Sequence, residues 1–270
     1  MTENPDWVPY GVDEIVPNAA RVYDYWLDGS HNFAADREMG DKVQQVMPRV
    51  RDGVRINRSF LRRAVLFMVD SGIRQFLDIG SGIPTVGNVH EIAQRAEPEC
   101  RIVYVDKESV AVAHSELLLR DNDRTTVIQA NLRDVGKILD HPETRRLLDF
   151  DQPVGLLALA LVHFVPDSWD PVGLLARCRD RLAPGSYLAL SHVTADGNPV
   201  GQAEASEFYQ NTPDPVYTRS YPEVLRLFTG FELVEPGLVG CAFWRPSGPG
   251  DTSDSAEMNT LLYGGVGRKP

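Results

Sequence analysis

A short polar loop rich in glycine follows an apolar segment in the first third of the chain. Residues 76–79 lead into Gly80-Ser81-Gly82, and a helical pattern begins at Asn88. Glycines let the backbone approach a ligand closely, and the following helix offers free N–H groups at its start. The third glycine of a dinucleotide-binding fingerprint would stand at Thr85 and is absent. The pattern predicts a ligand-binding loop, with a tight turn that binds nothing as the alternative.

Polar residues also follow the next three apolar segments, at Asp106, Asn131 and His163. In an open α/β sheet, an acid at the second strand end accepts hydrogen bonds from both ribose hydroxyls, and a strand-end imidazole faces the ligand crevice. An amide such as that of Asn131 can pair with an adenine edge. The structural alternatives are a solvated acid, an Asx turn and a buried histidine with a backbone partner. The position of Gly80, Gly82 and Asp106 on consecutive strand ends favours a ligand site.

The elements that would position these residues alternate in type. Up to residue 72 the apolar residues recur at helical spacing, and no strand pattern appears before residue 73. Strand patterns then alternate with helical ones, including a helical stretch at 135–148. Alternation of this kind predicts βαβ units and a mainly parallel sheet. The five predicted strands are residues 74–79, 101–105, 125–129, 154–161 and 186–191.

The last fifth of the chain has a different pattern. Ser220 and Glu223 have the spacing of a capping box, which predicts the start of a helix. Two short strand patterns follow at 231–234 and 238–244, and the link between them is too short for a parallel crossover. They would form an antiparallel hairpin, or the last strand would instead be 261–266.

Composition limits the classes of function. Of the 270 residues 43% are hydrophobic, which is enough for one large domain or two small ones. The net charge of −11 disfavours nucleic acid and anionic membranes as partners. The three cysteines lie far apart, without metal-ligand spacing, so we expect a reduced cytoplasmic setting and no metal. No apolar stretch reaches the roughly 20 residues that cross a bilayer, and the first residues have no signal-peptide features.

Two clusters in the helical first quarter have open interpretations. Tyr23, Tyr25, Trp26, His31, Asn32 and Phe33 surround a break at Asp28-Gly29. They would close over a ligand as a lid or simply pack the cap on the core. Six arginines between Arg49 and Arg63 would steer an anion or clamp a carboxylate, or form the solvated face of an amphipathic helix.

Longer segments carry a resemblance that covers nearly the whole chain. They are residues 18–29, 31–33, 36–38, 57–61, 75–82, 87–91, 103–106, 184–188, 191–192 and 263–270. On these segments the chain resembles the class I S-adenosylmethionine-dependent methyltransferases. It is more closely similar to an actinobacterial S-adenosyl methyltransferase family that was formerly a domain of unknown function. It departs from that family at Asn131, where an aspartate is usual, and at Asp28, where a glycine is usual.

The resemblance implies a Rossmann-like α/β fold with a seven-stranded, mostly parallel sheet whose last strand is antiparallel. Residues 1–72 would form an arm and a helical cap, and residues 73–270 the core. The cofactor would be S-adenosylmethionine, and S-adenosylhomocysteine the product. The glycine loop would hold its methionine part, Asp106 its ribose and Asn131 its adenine. The predicted cofactor-binding residues are Tyr23, Asn32, Asp78, Gly80, Ser81, Gly82, Asp106, Lys107, Asn131, Leu132 and His163.

The predicted function is in-line transfer of a methyl group to a small-molecule acceptor. A sulfonium methyl is already activated, so placement of the nucleophile and exclusion of water are the main requirements. His163 and His192 are the candidate bases, needed only if the acceptor must lose a proton. The alternatives are a cofactor-binding protein without catalysis and an NAD-dependent oxidoreductase, which Thr85 in the third glycine position disfavours.

Overall fold

Helices form the first quarter of the chain, as the apolar spacing predicts. The computed structural model describes residues 9, 11–85, 87–248 and 260–270, so residues 1–8 and 10 of the predicted N-terminal arm lie outside the described residues. Asn18 caps the start of the first helix, because its side-chain oxygen accepts hydrogen bonds from the backbone N–H groups of Ala20 and Arg21. The three helices are α1 (Ala19–Trp26), α2 (Ala34–Val46) and α3 (Val50–Asp70).

A mixed sheet follows the helices. Its strands are β1 (Gln75–Ile79), β2 (Arg101–Asp106), β3 (Thr125–Gln129), β4 (Gly155–Leu159), β5 (Tyr187–Val193), β6 (Glu232–Leu233), β7 (Val239–Gly240) and β8 (Leu262–Arg268). The order is β3-β2-β1-β4-β5-β8-β6, and β7 also pairs with β8. The first five strands are parallel, and β8 is antiparallel to β5, β6 and β7. This arrangement confirms the Rossmann-like, mostly parallel sheet with an antiparallel last strand.

The C-terminal strands differ in detail from the predictions. The sheet has eight strands rather than seven because the two-residue β7 adds a pairing to β8. The hairpin predicted at 231–244 is wrong: β6 and β7 each pair with β8, which is the last strand that the alternative prediction placed at 261–266. After β7 the chain turns into a 3₁₀ helix, Cys241–Phe243, instead of continuing as a strand.

Seven further helices cover the sheet in the described part of the chain. The helix predicted at 135–148 is two helices, because Pro142 lacks an N–H group and therefore begins a second one. A helix at 199–209 was not predicted. The helices are α4 (Val89–Ala96), α5 (Ser109–Leu119), α6 (Val135–Leu139), α7 (Pro142–Leu147), α8 (Pro171–Arg181), α9 (Pro199–Tyr209) and α10 (Tyr221–Arg226). None of the described helices is long and apolar enough to span a membrane.

Apolar side chains on the two faces of the sheet form two core layers. All five residues of β1 are buried. Because strand side chains alternate, Phe76 packs with the layer under α1–α4, whereas Leu77 and Ile79 pack with the layer under α6, α8 and α10. Asp78 therefore points to the α3 side. The strand order reverses between β1 and β4, and open α/β sheets bind ligands at the carboxyl ends of strands at such a point.

Candidate active site at the carboxyl ends of the strands

A cavity of about 280 Å³ lies where the strand order reverses. Its floor is made by the residues that follow β1, β2, β3 and β4, and its walls by α1, α3 and α9. Ten of the eleven predicted cofactor-binding residues line it. They are Tyr23, Asp78, Gly80, Ser81, Gly82, Asp106, Lys107, Asn131, Leu132 and His163.

The glycine loop after β1 is held in a shape that needs glycine. Gly80 and Gly82 have φ angles of +74° and +68°, in the left-handed region that side chains disfavour. The Gly80 N–H donates to the Val105 carbonyl oxygen at 2.7 Å, which fastens the loop to β2. The hydroxyl oxygens of Ser81 and Thr85 are buried without a hydrogen-bond partner in the described structure. Both residues line the cavity, so the loop holds two unpaired hydroxyl groups beside it.

Asp106 is the acid that connects this loop to β2. Its Oδ2 accepts a hydrogen bond from the Gly82 N–H at 2.7 Å, and its Oδ1 accepts one from the Glu108 N–H at 2.9 Å. Burial raises the pKa of Asp106, and these two hydrogen bonds counteract the effect. A carboxylate offers about four acceptor positions, so each oxygen retains one for a hydroxyl group in the cavity.

Two further ionisable residues, the acidic Asp78 and the positively charged Arg58, lie beside the loop. Burial raises the pKa of Asp78 to about 7, while Arg58 lowers it and Asp106 raises it further. Arg58 lies on α3, lines the cavity and donates to the Gly87 carbonyl oxygen at 2.7 Å. The end of β1 therefore combines a carboxyl group near its titration point with a guanidinium group. These are suitable partners for an ammonium and a carboxylate of one ligand.

The raised pKa of Asp78 predicts a pH-dependent cost to stability. The ordinary pKa of 3.8 applies in the unfolded chain, so the stabilisation from the protonated group is complete below pH 4 and is lost as pH rises through 7. We expect Asp78→Asn to be more stable than the native protein at pH 8 and similar to it at pH 4.5. Thermal unfolding at both pH values measures the difference, with the exposed Asp123→Asn as control. Equal gains for both variants would contradict the account.

The predicted adenine end of the site lies after β3. Asn131 accepts a hydrogen bond from the Arg133 N–H at 3.0 Å, so the Asx turn that was its structural alternative is present. Its amide nitrogen has no hydrogen-bond partner among the described residues, and Asn131 lines the cavity together with Leu132. Trp169 also lines the cavity, and the guanidinium of Arg133 lies 3.9 Å from the centre of its indole ring. The tryptophan was missed because its segment had no recognisable pattern.

Part of the N-terminal cluster forms a wall of the cavity. Tyr23 and Trp26 of α1 both line it. The Tyr23 hydroxyl accepts a hydrogen bond from the Asn57 amide at 2.9 Å, and Asn57 in turn accepts one from the Ser191 hydroxyl at 2.6 Å. The Ser191 hydroxyl oxygen also accepts a hydrogen bond from the backbone N–H of Ala160, which follows β4 and has a φ angle of +50°. A buried chain of hydrogen bonds thus connects the cap to a strained position beside the cavity.

Asn32, the remaining predicted cofactor residue, does not line the cavity. Its amide nitrogen donates to Asp24 Oδ2 at 2.8 Å and to the Gly29 carbonyl oxygen at 3.0 Å, so the side chain stabilises the turn between α1 and α2. The same turn explains Asp28. Its φ angle of +61° is one that glycine adopts more easily, and the carboxylate is held by Arg51 at 2.7 Å and Arg55 at 3.1 Å.

The two candidate bases have different environments. His192 is fully buried, its Nε2 lies 2.9 Å from Nη1 of Arg219, and its Nδ1 lies 2.6 Å from the Val193 carbonyl oxygen. Burial lowers its pKa to about 3, so the ring is neutral, and both of its nitrogens are engaged in contacts within the protein. His163 lines the cavity, and burial lowers its pKa well below the usual value. Only His163 is therefore placed to exchange a proton with a ligand.

Helix α9 contributes residues that the sequence analysis missed. Gln202, Ala205, Ser206 and Tyr209 all line the cavity opposite the strand ends. Their spacing of i, i+3, i+4 and i+7 marks one face of a helix. The face is mostly polar, so its pattern did not indicate a buried helix.

Comparisons with known proteins agree with the geometry. The profile of a family described as S-adenosyl methyltransferase matches residues 5–270. The chain is 40% identical to a DUF574 family protein from Streptomyces avermitilis, with a TM-score of 0.92 over 96% of this chain and 99% of that one. It is 38% identical to a candidate methyltransferase from Thermobifida fusca, with a TM-score of 0.92 over 98% and 99%. No curated protein matches the chain.

A more distant structure shares the fold alone. The N-methyltransferase NodS from Bradyrhizobium japonicum, solved with S-adenosylhomocysteine, is 13% identical to the chain. The TM-score is 0.53, over 93% of this chain and 99% of that one.

Proposed function

The chain belongs to the S-adenosyl methyltransferase family, and we propose that its cavity binds the cofactor over the strand ends and a small-molecule acceptor beside the helices. Its cofactor is S-adenosylmethionine, which supplies an activated methyl group on a sulfonium centre. The observation that carries the proposal is the single cavity space shared by Gly82, Asp106 and the α9 face. A cofactor and an acceptor can meet in such a space.

Residues at the strand ends fit the three parts of the cofactor. Asp106 retains acceptor positions for two ribose hydroxyls, and the free amide nitrogen of Asn131 can donate to adenine. Arg58 and Asp78 match the carboxylate and the ammonium of the methionine part. The unpaired hydroxyls of Ser81 and Thr85 add hydrogen-bonding capacity in the loop between them.

The remaining walls position the acceptor and exclude water. Tyr23 and Trp26 cover the cavity from the cap, so the reacting groups are shielded from solvent. His163 is a neutral imidazole at ordinary pH and can accept a proton from an acceptor that must lose one. In-line placement supplies most of the remaining rate enhancement.

Substitution of Asp106 tests the ribose assignment. We expect Asp106→Ala to weaken S-adenosylhomocysteine binding by roughly 1–3 kcal/mol, because charge-assisted hydrogen bonds are lost. Asp106→Asn should weaken it less, since its amide oxygen still accepts one hydrogen bond. Titration calorimetry measures both, and Asp123→Ala on the surface is the control. Unchanged affinity in Asp106→Ala would place the ribose elsewhere.

A transfer assay distinguishes catalysis from binding alone. Purified protein is incubated with methyl-labelled S-adenosylmethionine and a small-molecule extract of Streptomyces avermitilis, the source of a 40% identical relative. We expect extract-dependent S-adenosylhomocysteine and label in one or a few products. Calorimetric binding of S-adenosylhomocysteine without any product above the protein-free control would support a non-catalytic binding protein. A melting temperature raised by NAD and not by S-adenosylhomocysteine would support an oxidoreductase.

A further inference from the structure

One wall of the acceptor half of the cavity carries polar side chains that have no hydrogen-bond partner. Gln202 and Tyr209 are each 7% exposed, and Ser206 has a buried hydroxyl oxygen. Within the described part of the chain, no group hydrogen-bonds the Gln202 amide, the Ser206 hydroxyl or the Tyr209 hydroxyl. A polar group with little access to water and no hydrogen-bond partner is unfavourable, so a ligand that hydrogen-bonds to these groups is favoured.

Apolar surface from the cap completes this half of the cavity. Trp26 of α1, Val43 of α2 and Met47, which directly follows α2, line it and are nearly fully buried. The Trp26 indole N–H donates to the Gly40 carbonyl oxygen at 3.3 Å, so the ring offers only its apolar surface to the cavity. A flat apolar ligand body suits this wall, because an aromatic ring packs well against indole and thioether groups.

Charges around the α9 face disfavour an ionised ligand. Burial raises the pKa of the Tyr209 hydroxyl, and the nearby carboxylates of Asp214 and Asp36 raise it further. Asp214 is ion-paired with Lys107, and Asp36 with Arg21 at 2.9 Å, so these charges already have partners within the protein and are not available to neutralise an ionised ligand. The desolvation cost of any ionised ligand would therefore remain uncompensated.

We propose that the acceptor is a neutral aromatic compound with a nucleophilic hydroxyl group, held by Gln202, Ser206 and Tyr209 of α9 against Trp26. This inference rests on the proposed function and specifies its substrate class. The hydroxyl oxygen forms a bond to the methyl carbon, the carbon–sulfur bond breaks with its electron pair on sulfur, and the hydroxyl proton passes to His163. The positive charge thus moves from sulfur to the imidazole, which releases the proton to water.

Binding of three naphthalene probes tests the substrate class. The protein is first saturated with S-adenosylhomocysteine and then titrated with 1-naphthol, 1-naphthoate or 1-naphthylmethylammonium, which share a ring and differ in charge. We expect only 1-naphthol to bind, with an affinity that falls at least about tenfold in the combined variant Gln202→Leu, Ser206→Ala, Tyr209→Phe. The control is Phe208→Ala, on the exposed face of the same helix. Labelled S-adenosylmethionine then tests transfer to the naphthol oxygen.

Each result separates this inference from the proposed function. If S-adenosylhomocysteine itself does not bind, the proposed function fails. If it binds to the native protein and to the combined variant alike but 1-naphthol does not bind, the acceptor class is wrong. The class is also overturned if either charged probe binds as tightly as 1-naphthol, or if the combined variant retains native affinity for it. Selective binding of 1-naphthol that depends on α9, with label on its oxygen, supports the inference.

Discussion

Gly82→Val is expected to weaken S-adenosylhomocysteine binding by about 100-fold or more, which corresponds to about 3 kcal/mol. The position has a φ angle of +68°, lines the cavity and donates its N–H to Asp106. A Cβ atom there would meet no protein atom within 4 Å, so the added side chain would occupy cavity space rather than clash with the fold. The branched side chain would then take the place of the cofactor.

A second glycine provides a matched control for backbone strain. Gly72, after α3, has a φ angle of +94° and open space around a Cβ atom, but it does not line the cavity. Gly72→Val should lose stability to a similar extent, because both positions disfavour a side chain. Calorimetry should find native affinity in Gly72→Val and lost affinity in Gly82→Val. Equal affinities in the two variants would contradict the assignment of the glycine loop.

The second large effect concerns the buried ion pair in the cap. Asp36 is fully buried and accepts hydrogen bonds from Nε of Arg21 at 2.9 Å and from the backbone N–H groups of Asn18 and Phe33. Arg21 also donates to Glu108, which is hydrogen-bonded to Asp106, at 3.2 Å. Asp36→Ala leaves a buried guanidinium with one acid fewer and should lower the free energy of unfolding by about 3–5 kcal/mol.

The same helix supplies the control for this prediction. Glu38 of α2 is 71% exposed and pairs with Lys42, so Glu38→Ala should leave the melting temperature nearly unchanged. Denaturant unfolding of both variants, with native protein alongside, measures the difference. If Asp36→Ala is as stable as Glu38→Ala, the cap does not depend on the buried pair.

Local pattern was enough to predict residues that line the cavity at the strand ends. Gly80, Gly82 and Asp106 each follow a buried strand, and parallel strands bring their carboxyl ends to one edge of the sheet. The first five strands and the N-terminal helices were predictable for the same reason, since apolar periodicity reports burial directly. The sequence left an Asx turn and a ligand contact as alternatives for Asn131. The structure shows the turn together with a place at the cavity, because the oxygen and the nitrogen of one amide can serve different partners.

Tertiary placement decided the rest of the site. Asn32 lies among aromatic residues in the sequence and was predicted to bind the cofactor, but its amide instead donates a hydrogen bond to Asp24 within the turn. The face of α9 was missed because polar residues at helical spacing normally indicate a solvated surface, and only the fold shows that Gln202 and Tyr209 are buried. The arginine run had mixed roles that spacing cannot separate: Arg58 lines the cavity, whereas Arg51 pairs with Asp28.

A crystal structure of the protein with S-adenosylhomocysteine would show directly whether the cavity at the strand ends is the cofactor site. We expect the ribose hydroxyls on the Asp106 carboxylate and the adenine beside Asn131 and Leu132. We also expect the homocysteine carboxylate near Arg58, with the sulfur facing the α9 side of the cavity. Density for the nucleoside outside this cavity, or a ribose that does not contact Asp106, would show that the cofactor assignment is wrong.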